Sequence, residues 1–170
     1  MFLINSLFIV IFCIRLYSLS ISIRNEKRLI AKGAIQYGKT NSMLLSLAHV
    51  TFYLSAIIEA NVHQIGMTTL SWTGLGVLLF AIAMLFVVIR ELGEIWTVKL
   101  YILPEHQVNQ SFLFKYVRHP NYFLNIIPEL IGLSLLCHAV NTAHYGLPIY
   151  AVLLLIRIRQ EEKAMAHLRG

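Results

Sequence analysis

Residues 70–89 read LSWTGLGVLLFAIAMLFVVI, a run of 20 residues without a charged side chain. A hydrocarbon core about 30 Å thick requires roughly 20 apolar residues, because an α-helix rises about 1.5 Å per residue. A run of this length is longer than the core helices of soluble domains need. The stretch therefore predicts a helix that crosses a membrane.

Four other apolar stretches resemble this one. The five stretches are residues 2–23, 43–62, 70–89, 122–140 and 143–158. The last is short and contains Pro148, so we expect it to tilt, to start late or to continue as a helix into water. Asn141 and Thr142 join the last two stretches, which predicts a helical hairpin. We expect an all-α integral membrane protein with about five transmembrane helices and residues 1–170 in a single domain.

The composition excludes a water-soluble globular protein. The chain of 170 residues is 58% hydrophobic and 13% charged, whereas soluble domains are about half apolar and about a quarter charged. Too few polar side chains remain to cover a surface in water. The formal net charge of +6 does not indicate a nucleic-acid partner, because membrane topology explains where the basic residues lie along the chain.

The basic residues alternate with the apolar stretches. Thirteen of the 14 Lys and Arg residues lie in three segments, at residues 24–39, 90–118 and 157–169. The positive-inside rule places these segments in the cytoplasm, the N-terminus outside and the C-terminus in the cytoplasm. Residues 90–121 and 157–170 are therefore expected on one side of the membrane. The predicted location is the cytoplasmic (inner) membrane of a prokaryote.

A first candidate site lies just before the fourth stretch, where residues 116–122 read YVRHPNY. Arg118 and His119 precede Pro120, a residue that favours the first turn of a helix, and a helix N-terminus favours negative charge. The pattern is typical of a pocket for an anionic or carboxylate-bearing ligand. The alternative is an interfacial cluster that anchors the helix end.

A second candidate site follows the fifth stretch, where residues 157–163 read RIRQEEK. The adjacent carboxylates Glu161 and Glu162 are suited to accept hydrogen bonds from a ribose or an ammonium group, with Arg157 to orient them. The alternative is a solvated, charge-paired helix end. The predicted topology brings both candidate sites to the cytoplasmic side, which favours one shared pocket.

Taken together, the two motifs resemble the paired signature of the isoprenylcysteine carboxyl methyltransferase family, and phospholipid methyltransferases share a related pattern. The resemblance covers residues 74–165 and places His106 upstream of the Arg-His-Pro motif. It implies a cofactor pocket for S-adenosyl-L-methionine at the cytoplasmic side. The cofactor-binding residues that it implies are His106, Arg118, His119, Pro120, Tyr122, Glu161 and Glu162. Gly74 and Gly76 resemble a small-residue pair of lipid methyltransferases, with close helix packing as the alternative.

Departures from the family pattern concern the substrate. Phe112 and Leu124 stand where the family usually has Gly. Asn121 after the proline and Glu129 within the fourth stretch resemble a bacterial branch associated with methylating long-chain polyketide products such as alkylpyrones. The resemblance therefore implies a lipophilic acceptor, with the substrate class left open.

Glu129 is an ionisable residue inside an apolar helix, and such residues usually face a cavity or a partner. Methyl transfer to a carboxylate needs no base, whereas transfer to a hydroxyl benefits from one. Glu129 is a candidate base, or else it pairs with Arg15 or bonds a neighbouring helix. Glu59 also lies in an apolar helix, and its role is likewise open between a functional site and a contact with a neighbouring helix. Arg118 or Arg157 is the candidate for orienting an anionic acceptor, so the catalytic candidates are Arg118, Glu129 and Arg157.

These observations predict an S-adenosyl-L-methionine-dependent methyltransferase. The preferred reaction is O-methylation of a lipophilic or prenylated acceptor at a carboxylate or a long-chain polyketide hydroxyl. The alternatives are a membrane NADPH-dependent reductase of the sterol reductase type and a non-enzymatic carrier or assembly protein. The expected partners are the lipid bilayer and the acceptor, without nucleic acid or metal. His49, His138 and His144 lack metal-ligand spacing and are interpreted as polar contacts between helices or at the outer interface.

Overall fold

The computed structural model describes residues 1–103 and 116–166. Five helices build this part of the chain, as the hydropathy pattern predicts. Their bounds are α1 Phe2–Ala31, α2 Lys39–Val62, α3 Thr69–Leu92, α4 Asn121–Cys137 and α5 Val140–Ala166. A single 3-10 turn, Gly93–Ile95, follows α3.

Three of these helices, α1, α2 and α3, are long and apolar enough to cross a membrane within the described ranges. Helix α4 is apolar but shorter, and the second half of α5 carries charged residues. Large apolar side chains stand exposed on all five helices. An apolar surface of this extent is typical of contact with lipid, since soluble monomers rarely expose one.

The turn between α4 and α5 lies at His138 and Ala139, earlier than the predicted ends at residues 140 and 143. His138 adopts the left-handed conformation (φ 50°) that commonly ends a helix. The sequence predicts Asn141 and Thr142 as the connection between the last two helices. This prediction is wrong, because both residues belong to the first turn of α5. At its other end α5 continues past residue 158 to Ala166, which agrees with the predicted helical extension.

A side chain of α2, Glu59, explains why α5 starts early. Glu59 Oε1 accepts hydrogen bonds from the backbone N and the side-chain Nδ2 of Asn141, both at 2.9 Å. Its Oε2 accepts from the backbone N of Thr142 at 2.9 Å and from Oγ1 at 2.8 Å. A helix leaves its first N–H groups without intrahelical acceptors, and a carboxylate satisfies them while interacting favourably with the helix dipole. Glu59 thus caps α5 from a neighbouring helix.

Helices α3 and α4 cross at two glycines. A Cβ atom on Gly74 would overlap the backbone N of Leu136 and lie 2.7 Å from the carbonyl O of Gly132. A Cβ atom on Gly132 would lie 2.9 Å from the carbonyl O of Gly74. Gly76, by contrast, has nothing within 4 Å of such an atom. Of the two glycines noted in the sequence, only Gly74 serves close helix packing.

A small antiparallel sheet, which the hydropathy pattern did not predict, closes one end of the bundle. Strand β1 (Ile35–Tyr37) precedes α2, and β2 (Leu100–Ile102) follows the 3-10 turn, with Ile35 opposite Ile102. Each strand has only three residues, too few to produce a clear alternating pattern. The sheet ties the connection between α1 and α2 to the segment after α3.

Polar residues near the end of α1 hold the segment that follows α3. Asn25 Nδ2 donates to the carbonyl oxygens of Gly93 (3.0 Å) and Trp96 (2.9 Å), and Ser22 Oγ accepts from the backbone N of Val98 (2.9 Å). Further along, Glu26 Oε1 accepts from Lys99 Nζ and Tyr101 Oη, both at 2.7 Å. These bonds position Trp96 against the bundle. We call this end, with residues 35–37, 93–102, 118–122 and 157–166, the motif end.

Candidate functional site

Arg157 on α5 is the centre of the motif end, and the residue is only 3% exposed. Its Nε donates to Tyr122 Oη (3.3 Å) and to Glu161 Oε1 (3.2 Å). Its Nη1 donates to Ser42 Oγ on α2 at 2.7 Å, and its Nη2 to the carbonyl O of Val98 at 3.0 Å. A buried charge is tolerated only with such partners. Arg157 therefore joins both sequence motifs to α2 and to the segment after α3.

His119 and Tyr122 connect the first motif to the second. His119 Nδ1 lies 3.2 Å from Glu161 Oε2, and Tyr122 Oη donates to Glu161 Oε1. The imidazole stacks on the Tyr122 ring, with centroids 5.7 Å apart and planes at 20°. The hydrogen bond to Glu161 raises the pKa of His119 above its usual value, against the opposing effect of burial.

Arg118 and Glu162 form the rim of the site. Arg118 Nη1 lies 3.8 Å from Glu162 Oε1, and the Arg118 side chain is 81% exposed. His119 Nε2 lies 3.7 Å from the same carboxylate oxygen, beyond hydrogen-bonding distance. Since Arg118 is exposed whereas Arg157 is enclosed by acceptors, Arg118 is the arginine that a ligand reaches from solvent.

A local distortion of α4 aims Tyr122 and Asn125 inward. Residues Asn121–Ile126 form π-helical turns, and both of these side chains are buried. Pro128 follows, and a proline lacks the N–H that a regular helix would need there. Wider turns upstream of the proline avoid that conflict, and π-bulges of this kind are frequent at functional sites.

The motif end encloses a cavity of about 750 Å³, within the range of roughly 300–1,000 Å³ that small-molecule sites occupy. Polar lining comes from both motifs, and Trp96 and Leu92 supply part of the apolar wall. Within the described part of the chain, the buried Trp96 Nε1 has no hydrogen-bond partner. The cavity thus combines carboxylates with an aromatic wall.

A second, more apolar cavity of about 180 Å³ lies between α1, α2, α4 and α5. Its wall includes Arg15, His49, Tyr53 and Tyr150. Four residues line both cavities and form the partition between them: Trp96, Asn121, Tyr122 and Arg157. Among the described residues, Asn125 Oδ1 in the smaller cavity's wall has no hydrogen-bond partner although it is buried.

Glu129 is fully buried and does not line either of these two cavities. Its Oε1 lies 3.0 Å from Arg15 Nε and 3.7 Å from His49 Nε2, and it accepts a hydrogen bond from Tyr53 Oη. The ion pair with Arg15 and the hydrogen bond from Tyr53 on α2 are the two structural alternatives that the sequence allows, and the structure contains both. The catalytic role of Glu129 remains a prediction.

The structure brings most of the predicted site residues together. Arg118, His119, Pro120, Tyr122, Arg157, Glu161 and Glu162 all line the larger cavity. Glu129 lies apart from them, behind the smaller cavity. His106 lies outside the described residues, as does Phe112.

Three contributions to the site were missed from the sequence. Ser42 and the carbonyl of Val98 bind Arg157, and Trp96 separates the two cavities. A serine and a backbone carbonyl have no pattern that distinguishes them from their neighbours. Trp96 offers one signal, since an isolated tryptophan in a polar connection is often buried for a reason.

Comparison with known proteins gives a family match and two relatives. A profile described as "Isoprenylcysteine carboxyl methyltransferase (ICMT) family" matches residues 72–167. A protein of Haemophilus influenzae described as uncharacterized is 70% identical over 168 residues, covering 99% of this chain and 98% of that protein. The Bacillus subtilis protein YpbQ, also described as uncharacterized, is 27% identical over 152 residues, covering 89% of each. No solved structure matches significantly.

Proposed function

Because the chain belongs to the isoprenylcysteine carboxyl methyltransferase (ICMT) family, a family of membrane methyltransferases, we propose that it methylates a lipophilic acceptor with S-adenosyl-L-methionine. One observation carries the proposal. Residues from two motifs about 40 positions apart meet through Arg157, Tyr122 and Glu161 and line a single cavity of about 750 Å³.

The residues of the larger cavity fit this cofactor. Glu161 and Glu162 supply acceptors for ribose hydroxyls or the ammonium group, and the exposed Arg118 suits the carboxylate of its methionine part. Trp96 lines the same cavity, where an aromatic side chain would favour a nearby cation. The cofactor, when bound, supplies an electrophilic methyl group on a sulfonium.

The chain's own residues would position and shield this chemistry. Tyr122 and Arg157 line both cavities, so each would contact a polar ligand in the larger cavity and an apolar ligand in the smaller one. Their mutual hydrogen bond and their shared contact with Glu161 hold both side chains in place. Side chains fixed beside both ligands would favour catalysis, because holding two reactants in a near-attack geometry removes much of the barrier.

The acceptor would be a lipid-soluble molecule that undergoes O-methylation, at a carboxylate as in isoprenylcysteine or at a hydroxyl of a long-chain polyketide. The exposed apolar surfaces of α1 and α2 lead to the smaller cavity. A protein embedded in lipid encounters such an acceptor at high local concentration. We propose the bilayer as the medium that delivers it.

The proposed topology has all five helices crossing the membrane, with the motif end in the cytoplasm and the N-terminus outside. The opposite end contains the connection of α2 to α3 and the turn at His138, which bond each other through Thr68 Oγ1 and His138 Nε2 at 2.7 Å. The alternation of three basic segments with the apolar stretches of the sequence supports this orientation. A cytoplasmic pocket would admit a soluble cofactor, and we propose the inner membrane of a bacterium as the location.

The test measures thermal stabilisation of the detergent-purified protein by S-adenosylhomocysteine, with NADPH as the comparator. We expect a shift with S-adenosylhomocysteine alone that is lost in His119→Ala and Glu161→Ala. His144→Ala, an exposed histidine away from the motif end, is the matched control and should keep the shift. A selective response to NADPH would favour a reductase, and folded protein that responds to neither ligand would contradict the proposal.

A further inference from the structure

Four buried polar residues lie near the end of α1 and at the start of α2. They are Ser22 and Asn25 on α1 and Asn41 and Ser42 on α2, each at most 6% exposed. All four precede residue 72, where the match to the family profile begins. A buried polar group is costly unless it is hydrogen-bonded, so the partners of these side chains indicate which role they serve.

The two residues on α1 bind the irregular segment that follows α3. Asn25 Nδ2 donates to the carbonyl oxygens of Gly93 and Trp96, and Trp96 itself has an extended backbone. Ser22 Oγ accepts from the backbone N of Val98. An irregular segment satisfies its backbone groups with side chains instead of a regular ladder. The position of Trp96 therefore depends on α1.

The two residues on α2 bind α5 at and just before Arg157. Ser42 Oγ accepts from Arg157 Nη1 at 2.7 Å. One turn earlier on α5, the carbonyl O of Leu153 accepts from Asn41 Nδ2 at 3.1 Å. The carbonyl of Val98 binds Arg157 Nη2 at 3.0 Å. Since α1 holds Val98 through its backbone N, the contacts of α1 and α2 converge on one arginine.

These contacts fix residues of the larger cavity. Trp96 and Arg157 both line it, and Leu29 of α1 lines it as well. A binding site needs a supporting layer behind its wall, because a side chain displaced by about 1 Å fits its ligand poorly. Attaching helices to each other does not require bonds to irregular backbone, and Asn5 and Asn61 already attach α1 to α2 at the opposite end.

We propose that Asn25 and Ser42 are positioning residues that set the affinity of the larger cavity for the cofactor. This inference rests on the proposed methyl transfer. Asn25 acts through Trp96 in the aromatic wall. Ser42 acts through Arg157, whose guanidinium also binds Glu161. Helices α1 and α2 therefore support the site from outside the segment that the family profile matches.

The first measurement is the Kd of S-adenosylhomocysteine by isothermal titration calorimetry in detergent. Ser42→Ala should weaken binding by about tenfold, the factor expected for one lost hydrogen bond to a charged group. Ser71→Ala is the matched control, because Ser71 is also buried and its Oγ lies 3.1 Å from His138 Nε2 at the opposite end. Both variants should lower Tm, but only Ser42→Ala should change Kd.

The second measurement compares Asn25→Ala with Asn5→Ala, which removes an asparagine contact from the other end of α1. Trp72→Phe is the background, since Trp96 is then the only tryptophan of the chain. Acrylamide should quench Trp96 fluorescence more strongly in Asn25→Ala than in Asn5→Ala, and Kd should rise only in Asn25→Ala. If Asn25→Ala does not fold, Asn25→Ser, which keeps one donor, should show the same changes to a smaller extent.

Failure of this inference is distinguishable from failure of the proposed function. Folded wild-type protein that does not bind S-adenosylhomocysteine contradicts the proposed function. Wild-type protein that binds it, with Ser42→Ala and Asn25→Ala binding it equally well, overturns this inference and leaves the methyltransferase intact. Unchanged quenching of Trp96 in Asn25→Ala would overturn the role of Asn25.

Discussion

Glu59 and Glu129 are both carboxylates within apolar helices, and their surroundings give them different roles. Glu59 accepts four hydrogen bonds from Asn141 and Thr142, so its acceptor capacity is used by the start of α5. Glu129 binds Arg15 and Tyr53 through one oxygen and keeps the other without a hydrogen-bond partner among the residues described. The first carboxylate is a helix cap, and the second balances the charge of Arg15 inside the bundle.

A pH dependence of stability is expected from His119. Its pKa is raised in the folded protein by the hydrogen bond to Glu161, so the protonated pair stabilises the fold. The contribution is fully present below the unfolded-state pKa of about 6.5 and is lost as pH rises through the raised folded-state pKa. The Tm difference between wild type and His119→Gln should therefore be largest near pH 6 and shrink toward alkaline pH.

The measurement is a thermal unfolding series in detergent, with His144→Gln as the control for a general effect of removing a histidine. A Tm difference between wild type and His119→Gln that stays constant across the series would contradict the stabilising role of the charged His119–Glu161 pair.

At the scale of elements, backbone contact between α3 and α4 determines where the α4 residues of the site lie. Gly74 and Gly132 let the two helices approach until the backbone atoms themselves meet. The α4 segment that carries Tyr122 and Asn125 is thereby held against the bundle, with its π-helical turns before Pro128. Small residues serve this purpose in membranes, because packing and not hydrophobicity drives helix association there.

Gly74→Ala should be strongly destabilising. A Cβ atom there would overlap the Leu136 backbone, and overpacking of this kind costs about 1–3 kcal/mol. Gly76→Ala is the matched control, because the space beside Gly76 is open and alanine is favoured over glycine in a helix by about 1 kcal/mol. Thermal unfolding should rank Gly74→Ala below wild type and Gly76→Ala at or above it. The reverse order would contradict the close crossing.

At the scale of the whole molecule, α1 is fastened at both ends and leaves a gap between. Near its start, Asn5 and Asn61 exchange two side-chain hydrogen bonds of 3.0 Å with α2. Near its end, Ser22, Asn25 and Glu26 hold residues 93–101. The smaller cavity lies between these attachments. Leu16, Leu19 and Val50 in its wall are half-exposed on α1 and α2, so the cavity lies beside the outer surface of these helices.

Cysteine accessibility tests the proposed topology. In a protein with Cys13 and Cys137 replaced by alanine, Gly66→Cys and Val140→Cys should be labelled by an impermeant maleimide from outside the cell. Thr40→Cys should be labelled only after permeabilisation, since it lies at the motif end. Labelling of Val140→Cys from the side of Thr40→Cys would contradict a crossing by α4.

The sequence by itself determined the five helices and the two motifs that contribute to the larger cavity. Long apolar stretches specify helices because lipid leaves no other way to satisfy the backbone, and Arg118–Tyr122 and Arg157–Glu162 lie on adjoining helix ends. Only the tertiary structure decided that Ser42, Trp96 and the carbonyl of Val98 complete the site, and that His49 and Tyr150 lie between Glu129 and a second cavity. Those contacts join residues 59–115 positions apart, and hydrogen bonds over such separations depend on packing geometry that no local pattern records.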